Sequence, residues 1–392
     1  MNRRAGSDVV IVGGGVVGAT CALALAAVGI DVALVEAVEP PRWSPEHPDL
    51  RVYAFAPDNA ALLDGIGIWS GIQAARTQPY RRMRVWDAAG GGELAFDADA
   101  FGRTELGWII EHGLLVDRLW HALSKAGVQL HCPARVESLE QHEQGVRLRL
   151  DDGARVDGRL LIAADGAGST VRMLAGLDVA THDYAQRGLV AYVQTELPHL
   201  DTAWQRFLPG GPLAVLPCTG GRSSIVWTLP EADAARLLAA GDYAFNRELT
   251  RAFDARLGGM RADSKRLAFP LRRQLAGRYV HGRVLAIGDA AHVVHPLAGQ
   301  GVNLGLRDVA ALRDSIRDAL SRSTDFSAPQ RLSRWARTRK SENAAAAYAF
   351  DGLNRFFSGD GIAASLLRGP LLGLAGKVPA LPHALWRKAA GL

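Results

Sequence analysis

Cysteine is scarce in this sequence, and its scarcity limits the kinds of site that the chain can hold. Only three cysteines occur among 392 residues, and no two of them form a C-x-x-C pair. Disulfide frameworks and zinc sites use more cysteines at characteristic spacings, so we expect neither, and we expect no bound metal. Cys21 falls within a predicted helix, where we expect a small buried thiol.

Long hydrophobic runs are also absent. The opening residues MNRRAGSD lead directly into a predicted strand, and the apolar run there is broken by glycines. This start fits neither a signal peptide nor a transmembrane helix. With 48% hydrophobic and 22% charged residues, the chain is typical of a globular protein with one large or two ordinary domains. We expect it to be cytoplasmic.

Charge of one sign is only slightly in excess. The chain has 45 basic and 40 acidic residues, a formal charge of +5 and a pI near 9.3. A basic helix, a set of stacking aromatic residues and a zinc knuckle are all missing, so we do not expect nucleic acid as a partner. A membrane surface is a better candidate for the partner of this excess of basic residues.

The C-terminal region, residues 356–388, interleaves apolar residues with basic ones. This pattern is typical of a segment that lies at a membrane surface, which would make the protein peripheral to the inner membrane. Three prolines break the segment into short pieces. A tail packed on the protein's own core, or on a second copy in a homo-oligomer, is therefore equally compatible.

The N-terminal segment matches a dinucleotide-binding fingerprint. The apolar run 9–12 ends in GGGVVG at 13–18, a predicted helix follows over Ala19–Val28, and a second apolar strand over 32–35 ends in an acidic residue. Glycines there permit the tight turn, the approach of a pyrophosphate and close helix packing, and the acid accepts hydrogen bonds from a ribose. The residues assigned to the dinucleotide are Gly13, Gly15, Val16, Val17, Gly18 and Glu36.

The segment 283–306, RVLAIGDAAHVVHPLAGQGVNLGL, is the most informative in the chain. A predicted buried strand over 284–287 runs into Gly288-Asp289, and a Gly299-Gln300-Gly301 turn opens an apolar helix. Helix N-termini attract negative charge. A reduced flavin carries such charge around N1 and O2, so bare N–H groups near this turn would stabilise it.

A third segment, LLIAADGAGSTVR at 160–172, places Asp165-Gly166 after another short predicted strand. Taken alone, it reads as a strand-to-helix turn with Asp165 as the helix cap. Its combination with the two segments above suggests a cofactor role instead.

These three motifs together resemble the group A flavoprotein monooxygenases, whose type member is a hydroxybenzoate hydroxylase. Further segments resemble the ubiquinone-biosynthesis hydroxylase branch of that group, and the resemblance covers nearly the whole chain. These segments are GDAAHVVHPLAGQGVNLGLRD (288–308), WQRFLPGGPLAVLP (204–217), GWIIEHGLL (107–115) and FPL (269–271).

The resemblance implies roles for individual residues. Asp289 would hold the ribityl chain of FAD, Arg51 would lie near the diphosphate, and Asp165 would lie between the nicotinamide path and the pyrophosphate. Pro296 would lie near the isoalloxazine, and Gly299, Gln300 and Gly301 would face its pyrimidine edge. Gly288, Val302 and Asn303 are further cofactor-binding residues. One departure concerns the helix after GWIIE, where many relatives carry Gln or Arg. This chain has Val116 there, with Arg118 two residues on, so a flavin contact from that helix is in doubt.

The fold implied is α/β, with a Rossmann-like FAD-binding domain interleaved with an antiparallel β-sheet substrate domain and followed by a helical C-terminus. The FAD-binding domain would comprise residues 1–75, 112–178 and 270–320. The substrate domain would comprise 76–111 and 179–269, with short strands over 189–195, 204–208, 213–217 and 224–229. Residues 321–392 would form the C-terminal helical region, and 52–69 reads as a connecting helix.

The chemistry implied is hydroxylation of an activated aromatic ring. NAD(P)H or another donor would reduce FAD, O₂ would add at flavin C4a, and the hydroperoxide would pass one oxygen to the ring. We assign the catalytic segment to His295, Pro296 and Gln300. His292 and His295 are candidate proton acceptors, although both could instead orient the loop by hydrogen bonds to backbone. Tyr184, Trp204 and Phe207 either line the pocket or belong to the core.

Three functions are compatible with these observations. The first is an FAD-dependent hydroxylase of a polyprenylated phenol or quinol in ubiquinone synthesis. The second is a related enzyme with a soluble aromatic substrate, which a pocket without an apolar channel would favour. The third is a flavin-retaining accessory subunit of a biosynthetic complex.

Overall fold

The computed structural model describes residues 6–88, 92–295 and 301–358, together with His383, Trp386, Arg387, Ala390 and Gly391. The strands of this part of the chain are β1 (Ser7–Val12), β2 (Val32–Val35), β3 (Val52–Phe55), β4 (Gln78–Tyr80), β5 (Arg82–Asp87), β6 (Glu93–Asp97), β7 (Gly107–Glu111), β8 (Gln129–His131), β9 (Val136–His142), β10 (Gly145–Leu150), β11 (Arg155–Ala163), β12 (Val179–Thr195), β13 (Thr202–Leu208), β14 (Gly211–Pro217), β15 (Arg222–Pro230), β16 (Met260–Ala262), β17 (Leu267–Ala276), β18 (Val280–His281), β19 (Val284–Ala286) and β20 (His292–Val293). Its helices are α1 (Val16–Ala26), α2 (Pro57–Gly65), α3 (Trp69–Ala75), α4 (His112–Leu123), α5 (Thr170–Leu174), α6 (Glu231–Ala239), α7 (Asp242–Ala252), α8 (Gly301–Ser321) and α9 (Pro329–Ser358).

A mostly parallel sheet contains the N-terminal segment. Its order is β18-β19-β11-β1-β2-β8, and β1 pairs in parallel with both β11 and β2. Val9, Val10 and Ile11 are fully buried, as expected for a parallel strand covered on both faces. The predicted Rossmann-like unit is confirmed, with the carboxyl ends of β1, β11 and β19 at one edge.

A larger sheet forms the second layer. Its order is β20-β17-β12-β15-β14-β13-β5-β6, and its pairs are antiparallel except for β13 with β5. One face, which we call the outer face, packs Leu189, Ala191 and Val193 of β12 against Phe245 and Leu249 of α7. The opposite face, which we call the inner face, lies against a small third sheet of order β3-β7-β4.

Two long helices follow the sheets. Helix α8 packs so closely on α1 that a Cβ at Gly305 would lie 2.7 Å from Val17 Cγ2. Helix α9 then reaches the inner face, where the Phe357 ring stacks on Phe207 with centroids 4.1 Å apart. The predicted helical C-terminus is confirmed as far as Ser358, with a break between α8 and α9. In the described residues, no helix is long and apolar enough to cross a membrane.

The sequence interpretation was wrong at residues 52–69, which do not form one helix. Residues 52–55 form β3, which pairs with β7 from Val52 opposite Glu111 to Phe55 opposite Trp108. The helix begins only at Pro57, whose ring suits the first turn of a helix. Strand pairing between segments distant in sequence thus overrides the local helical pattern.

Candidate cofactor and active site

Glycines shape the turn between β1 and α1. Gly13 has φ 105°, and a Cβ there would lie 2.3 Å from the Ala164 carbonyl oxygen. A Cβ on Gly18 would lie 1.9 Å from the Gly13 carbonyl oxygen. Gly15 is exposed, and a Cβ there would meet no protein atom within 4 Å. Packing therefore requires glycine at 13 and 18, whereas Gly15 faces open space into which a ligand could fit.

The N-terminus of α1 opens onto the same space. Gly15 is its N-cap, no side chain caps the helix, and its first turn contains no acidic residue. The free N–H groups and the positive end of the helix dipole thus favour an anionic group. Val16 is buried, and Val17 packs under Gly288, so these two side chains support the turn from below.

Glu36 ends β2 and reaches back to the turn. Its Oε2 accepts a hydrogen bond from the Gly14 backbone N–H at 2.5 Å, and its Oε1 accepts one from Val38 at 3.0 Å. Each carboxylate oxygen has two acceptor sites. The side chain can therefore hold the turn and still accept a hydrogen bond from a ligand hydroxyl.

Helix α4 contacts the turn through a residue that the sequence analysis missed. The indole Nε1 of Trp120 donates to the Gly14 carbonyl oxygen at 2.7 Å. By contrast, Val116 is buried in the core, and Arg118 pairs with Asp117 at 2.6 Å. The helix after GWIIE thus approaches the fingerprint by Trp120, in place of the Gln or Arg of many relatives.

Asp165 is engaged within its own turn. Its Oδ2 accepts a hydrogen bond from the Val171 N–H at 3.1 Å, and its Oδ1 accepts one from the Ser169 hydroxyl. Ser169 is the N-cap of α5 and accepts from Arg172 N–H at 2.9 Å. The N-cap of α5 is thus Ser169, and the interpretation of Asp165 as the helix cap was wrong.

Arg172 joins the Asp165 turn to the Gly288-Asp289 segment. Its guanidinium is buried and donates to the carbonyl oxygens of Ala167 and Ala290, both at 3.0 Å. Asp289 lies on the adjacent 3-10 turn, partly exposed, and its carboxylate makes no hydrogen bond or ion pair with the described residues. That carboxylate is therefore free to accept hydrogen bonds from a ligand.

Asp308 of α8 anchors this segment from inside. Its carboxylate is fully buried and accepts four hydrogen bonds. Oδ2 accepts from Gly288 N–H at 3.1 Å and from His292 Nε2 at 2.6 Å. Oδ1 accepts from Arg339 Nε at 2.8 Å and from Asn343 Nδ2 at 2.9 Å. Burial opposes its charge, but His292 and Arg339 outweigh burial and hold the pKa of Asp308 below its usual range. His292 thus orients the loop, as the alternative interpretation expected. It does so through a hydrogen bond to the Asp308 carboxylate and not through one to backbone.

The remaining predicted cofactor residues are placed as follows. Pro296, Gly299 and Gln300 lie outside the described residues. Gly301 begins α8, and Val302 is buried. Asn303 is buried and ties α8 to β3, because its Nδ2 donates to Ala54 O at 2.8 Å and its Oδ1 accepts from Ala56 N–H at 3.0 Å.

Arg51 is exposed just before β3, and its guanidinium lies over the Tyr53 ring at 5.3 Å from the centroid. The Tyr53 hydroxyl contacts His112 Nδ1 at 3.0 Å. Burial and the nearby Arg51 charge lower the pKa of His112 to about 4. Arg51 thus has no ion-pair partner among the described residues and lies beside a neutral histidine, which suits it to an anionic ligand.

His295 is the predicted catalytic residue that the structure describes. It is buried, and neither ring nitrogen has a hydrogen-bond partner among the described residues. Burial lowers the pKa of His295 to about 4, although the Asp351 charge opposes that shift. The ring is therefore neutral at physiological pH, with one donor and one acceptor still available. Its ring contacts Tyr184 edge-on, with centroids 5.0 Å apart.

The inner face of the large sheet is apolar over a long stretch. Two clusters of side chains meet there through Phe96, one against the small sheet and one against the end of α9. Phe207 lies in the second cluster, whereas Trp204 packs on the outer face against Trp86 and Phe253, so Trp204 was a wrong candidate for the pocket. The inner-face side chains are Met83, Val85, Leu94, Phe96, Phe207 and Leu216.

A polar cavity adjoins the small-sheet end of this surface. It is small, with a cavity volume of about 30 Å³, and is lined by Arg76, Gln78, Glu111 and Cys218 among others. Glu111 accepts hydrogen bonds from Arg76 NH1 and Trp43 Nε1, both at 3.1 Å. Most of its polar groups are thus already paired with one another. Residues that could hold a metal ion are not found together in the described part of the chain.

Comparison with known proteins agrees with this geometry. Residues 6–340 match the family described as FAD binding domain. The chain is 38% identical over 339 residues to 3-demethoxyubiquinol 3-hydroxylase of Escherichia coli K12, covering 86% of each. It is 37% identical over 387 residues to the ubiquinone hydroxylase UbiL of Rhodospirillum rubrum, covering 98% of this chain and 90% of the other. The fold is that of p-nitrophenol 4-monooxygenase PnpA of Pseudomonas putida, with a TM-score of 0.79 at 21% identity over 98% of both chains.

Proposed function

The chain belongs to the FAD binding domain family of monooxygenases, and from this premise we propose that it hydroxylates the aromatic ring of a polyprenylated phenol or quinol in ubiquinone biosynthesis. The relatives named above, a demethoxyubiquinol hydroxylase and a ubiquinone hydroxylase, support this pathway. O₂ would be a co-substrate, and NAD(P)H is the electron donor that we propose.

The described residues fit FAD. Gly15 and the uncapped N-terminus of α1 offer space and N–H groups for the pyrophosphate. Glu36 retains acceptor capacity for the adenosine ribose, Asp289 has an unpaired carboxylate for the ribityl hydroxyls, and Arg51 is a free cation for the diphosphate. Pro296 and the segment from Gly299 to Asn303 would face the isoalloxazine. Bound FAD supplies the redox and oxygen chemistry that side chains lack.

The apolar character of the inner face is the observation that supports a prenylated substrate. A prenyl tail is a chain of hydrocarbon, and its burial is favourable at roughly 25 cal/mol per Å². The two clusters share Phe96, so the apolar side chains are continuous from Leu216 to Leu94. A small soluble phenol would not need such a length of apolar wall.

His295 is the proton acceptor that we propose for the substrate hydroxyl. Its neutral imidazole is buried with both nitrogens unsatisfied, and a hydroxyl that donates to one nitrogen would satisfy the acceptor. Transfer of the proton from the phenol oxygen to imidazole leaves the ring oxygen negative. The electron-rich ring is then activated for attack at the adjacent carbon.

The polar cavity at Arg76 and Glu111 favours a second candidate, a hydroxylase of a soluble aromatic substrate. Such a substrate could place a polar substituent among Gln78, Arg76 and Arg222. The inner face would then serve only as core.

We also propose contact with an anionic membrane surface. Residues 322–340 carry five arginines, one lysine and one aspartate, and Arg322, Arg331 and Arg339 are paired with aspartates of α8. Arg334, Arg337 and Lys340 are exposed on α9, and such basic faces are attracted to anionic lipids. Most of the C-terminal segment 356–388 lies outside the described residues. Sedimentation with anionic vesicles that weakens as salt rises would support this contact, and salt-independent or absent binding would contradict it.

The experiment that tests the function is quinone profiling of a strain that lacks this protein, with and without its return. Accumulation of a prenylated phenol or quinol one oxygen short of the next intermediate, reversed by the returned gene, is the expected result. Unchanged ubiquinone together with turnover of a soluble phenol by the purified protein would favour the second candidate.

A further inference from the structure

A polar group of three side chains lies beside His295, where α9 crosses β12 and β17. Asp351 of α9 is 4% exposed, and both of its carboxylate oxygens are occupied. Oδ1 accepts a hydrogen bond from the Tyr184 hydroxyl, and Oδ2 accepts one from Arg273 NH1. Among the described residues, Asp351 is the charged group that raises the pKa of His295, against the larger lowering by burial.

We infer that Tyr184 and Asp351 are positioning residues that hold the His295 ring in place and offset the positive charge it gains on taking the substrate proton, while Arg273 holds the Asp351 carboxylate. This inference rests on the proposed function, in which His295 accepts that proton. None of the three side chains bonds to a His295 nitrogen, so both nitrogens stay available to the substrate.

The backbone of β12 is distorted to place Tyr184. Pairing with β17 shifts register between Asp183 and Arg187, and Ala185 takes φ 53°, an unfavourable value for a residue with a side chain. Asp183 Oδ1 accepts a hydrogen bond from Ala185 N–H at 2.9 Å and closes this bulge. Bulges re-aim side chains and often adjoin active sites. A tyrosine needed only for packing would not require such a bulge.

The Tyr184 ring links the carboxylate to the histidine. It meets His295 with centroids 5.0 Å apart and planes at 78°, while its hydroxyl is bonded to Asp351. Burial and the hydrogen bond to Asp351 raise the pKa of Tyr184, so the phenol stays a neutral donor. The ring thus fixes both the place of the imidazole and its separation from the carboxylate.

Arg273 reduces the electrostatic influence of Asp351 on His295 before substrate binds. It is 18% exposed, and its guanidinium lies over the Tyr348 ring at 5.0 Å from the centroid. With Arg273 paired, Asp351 is largely neutralised before substrate arrives, and His295 stays neutral. When the phenol proton moves to imidazole, the fixed carboxylate offers a nearby counter-charge without rearrangement.

The test uses the FAD-loaded full chain and 4-nitrophenol, whose phenolate is coloured. The bound phenolate-to-phenol ratio is read as a difference spectrum against the holoprotein alone. We expect Asp351→Asn to lower the ratio about tenfold, equivalent to one pKa unit. Tyr184→Phe keeps the ring and loses the hydroxyl, so we expect a smaller fall of about threefold. Tyr243→Phe, an exposed tyrosine of α7 on the outer side of the large sheet, is the control and should leave the ratio unchanged.

The outcomes separate the inference from the function on which it rests. If His295→Asn lowers the ratio but Asp351→Asn and Tyr184→Phe, both retaining FAD, match the wild type, the positioning role is refuted. If His295→Asn also matches the wild type, or if the wild-type holoprotein binds the probe only as neutral phenol, His295 is not the acceptor and both claims fail. Should Asp351→Asn not fold, Tyr184→Phe alone decides between these results.

Discussion

Removal of the Asp308 charge should both destabilise the fold and weaken the hold on FAD. Asp308→Asn keeps the size of the side chain but leaves Arg339, which is 5% exposed, without its buried counter-charge. Breaking a buried pair in this way costs about 3–5 kcal/mol. Arg339 retains Asn343 Oδ1 at 3.0 Å and an outer contact with Glu342, so we expect the lower end, about 3 kcal/mol.

The same change reaches the cofactor segment. Asp308 Oδ2 accepts from Gly288 N–H, and one lost hydrogen bond corresponds to about 1 kcal/mol. The Kd for FAD should therefore rise about fivefold. The Asp308 contribution has a defined pH dependence: because the pKa of Asp308 is lowered on folding, its stabilisation is present above the unfolded-state pKa and is lost as pH falls below it.

Urea unfolding of the apoprotein and titration with FAD measure the two effects separately. Asp314→Asn is the matched control, since Asp314 lies on the same helix with its side chain 48% exposed and pairs with Arg313 and Arg317. We expect the control to change stability by less than about 0.5 kcal/mol. An Asp308→Asn protein within 1 kcal/mol of the wild type would refute the view that this network anchors the site.

The remaining predictions concern the cofactor turn and pH. Asp289→Ala should abolish FAD retention with the unfolding free energy unchanged, and yellow holoprotein from this variant would contradict the assignment. Gly15→Ala should leave the free energy of unfolding of the apoprotein within about 0.5 kcal/mol of the wild type but weaken FAD binding. Gly18→Ala should impair folding itself, because its Cβ would lie 1.9 Å from Gly13 O. Urea unfolding and FAD titration of both variants distinguish the two roles. His112 and His295 have pKa values of about 4 when folded against 6.5 in the unfolded chain. Stability should therefore hold above pH 6.5 and fall as pH drops, by about 2 kcal/mol for each histidine at pH 5; His112→Gln should halve that loss in urea unfolding at pH 7 and pH 5, and an unchanged loss would contradict the assignment.

Much of the cofactor segment could be predicted from the sequence because its constraints are local. The turn at Gly13 and Gly18 requires glycine through contacts within one strand-turn-helix unit, and β2 spans the predicted residues 32–35. The strands of the large sheet were also predictable, since β-branched and aromatic residues alternate along them.

Features that depend on long-range contacts escaped the sequence. Residues 52–55 form a strand because β7 supplies a partner 53 to 59 residues away, from Phe55 opposite Trp108 to Val52 opposite Glu111. No sequence motif marks Trp120, whose indole donates to the carbonyl oxygen of Gly14, 106 positions earlier. Asp351 is 167 positions from Tyr184, and no local pattern marks either of them.

Oxygen transfer by the purified holoprotein tests the central claim most directly. The protein would be given reductant, isotopically labelled O₂ and a prenylated phenol, and the product would be analysed by mass spectrometry. The account predicts one labelled oxygen on the aromatic ring of the prenylated product, with an unprenylated phenol hydroxylated far less efficiently. Label found only in hydrogen peroxide or water, with the prenylated phenol unchanged, would contradict it.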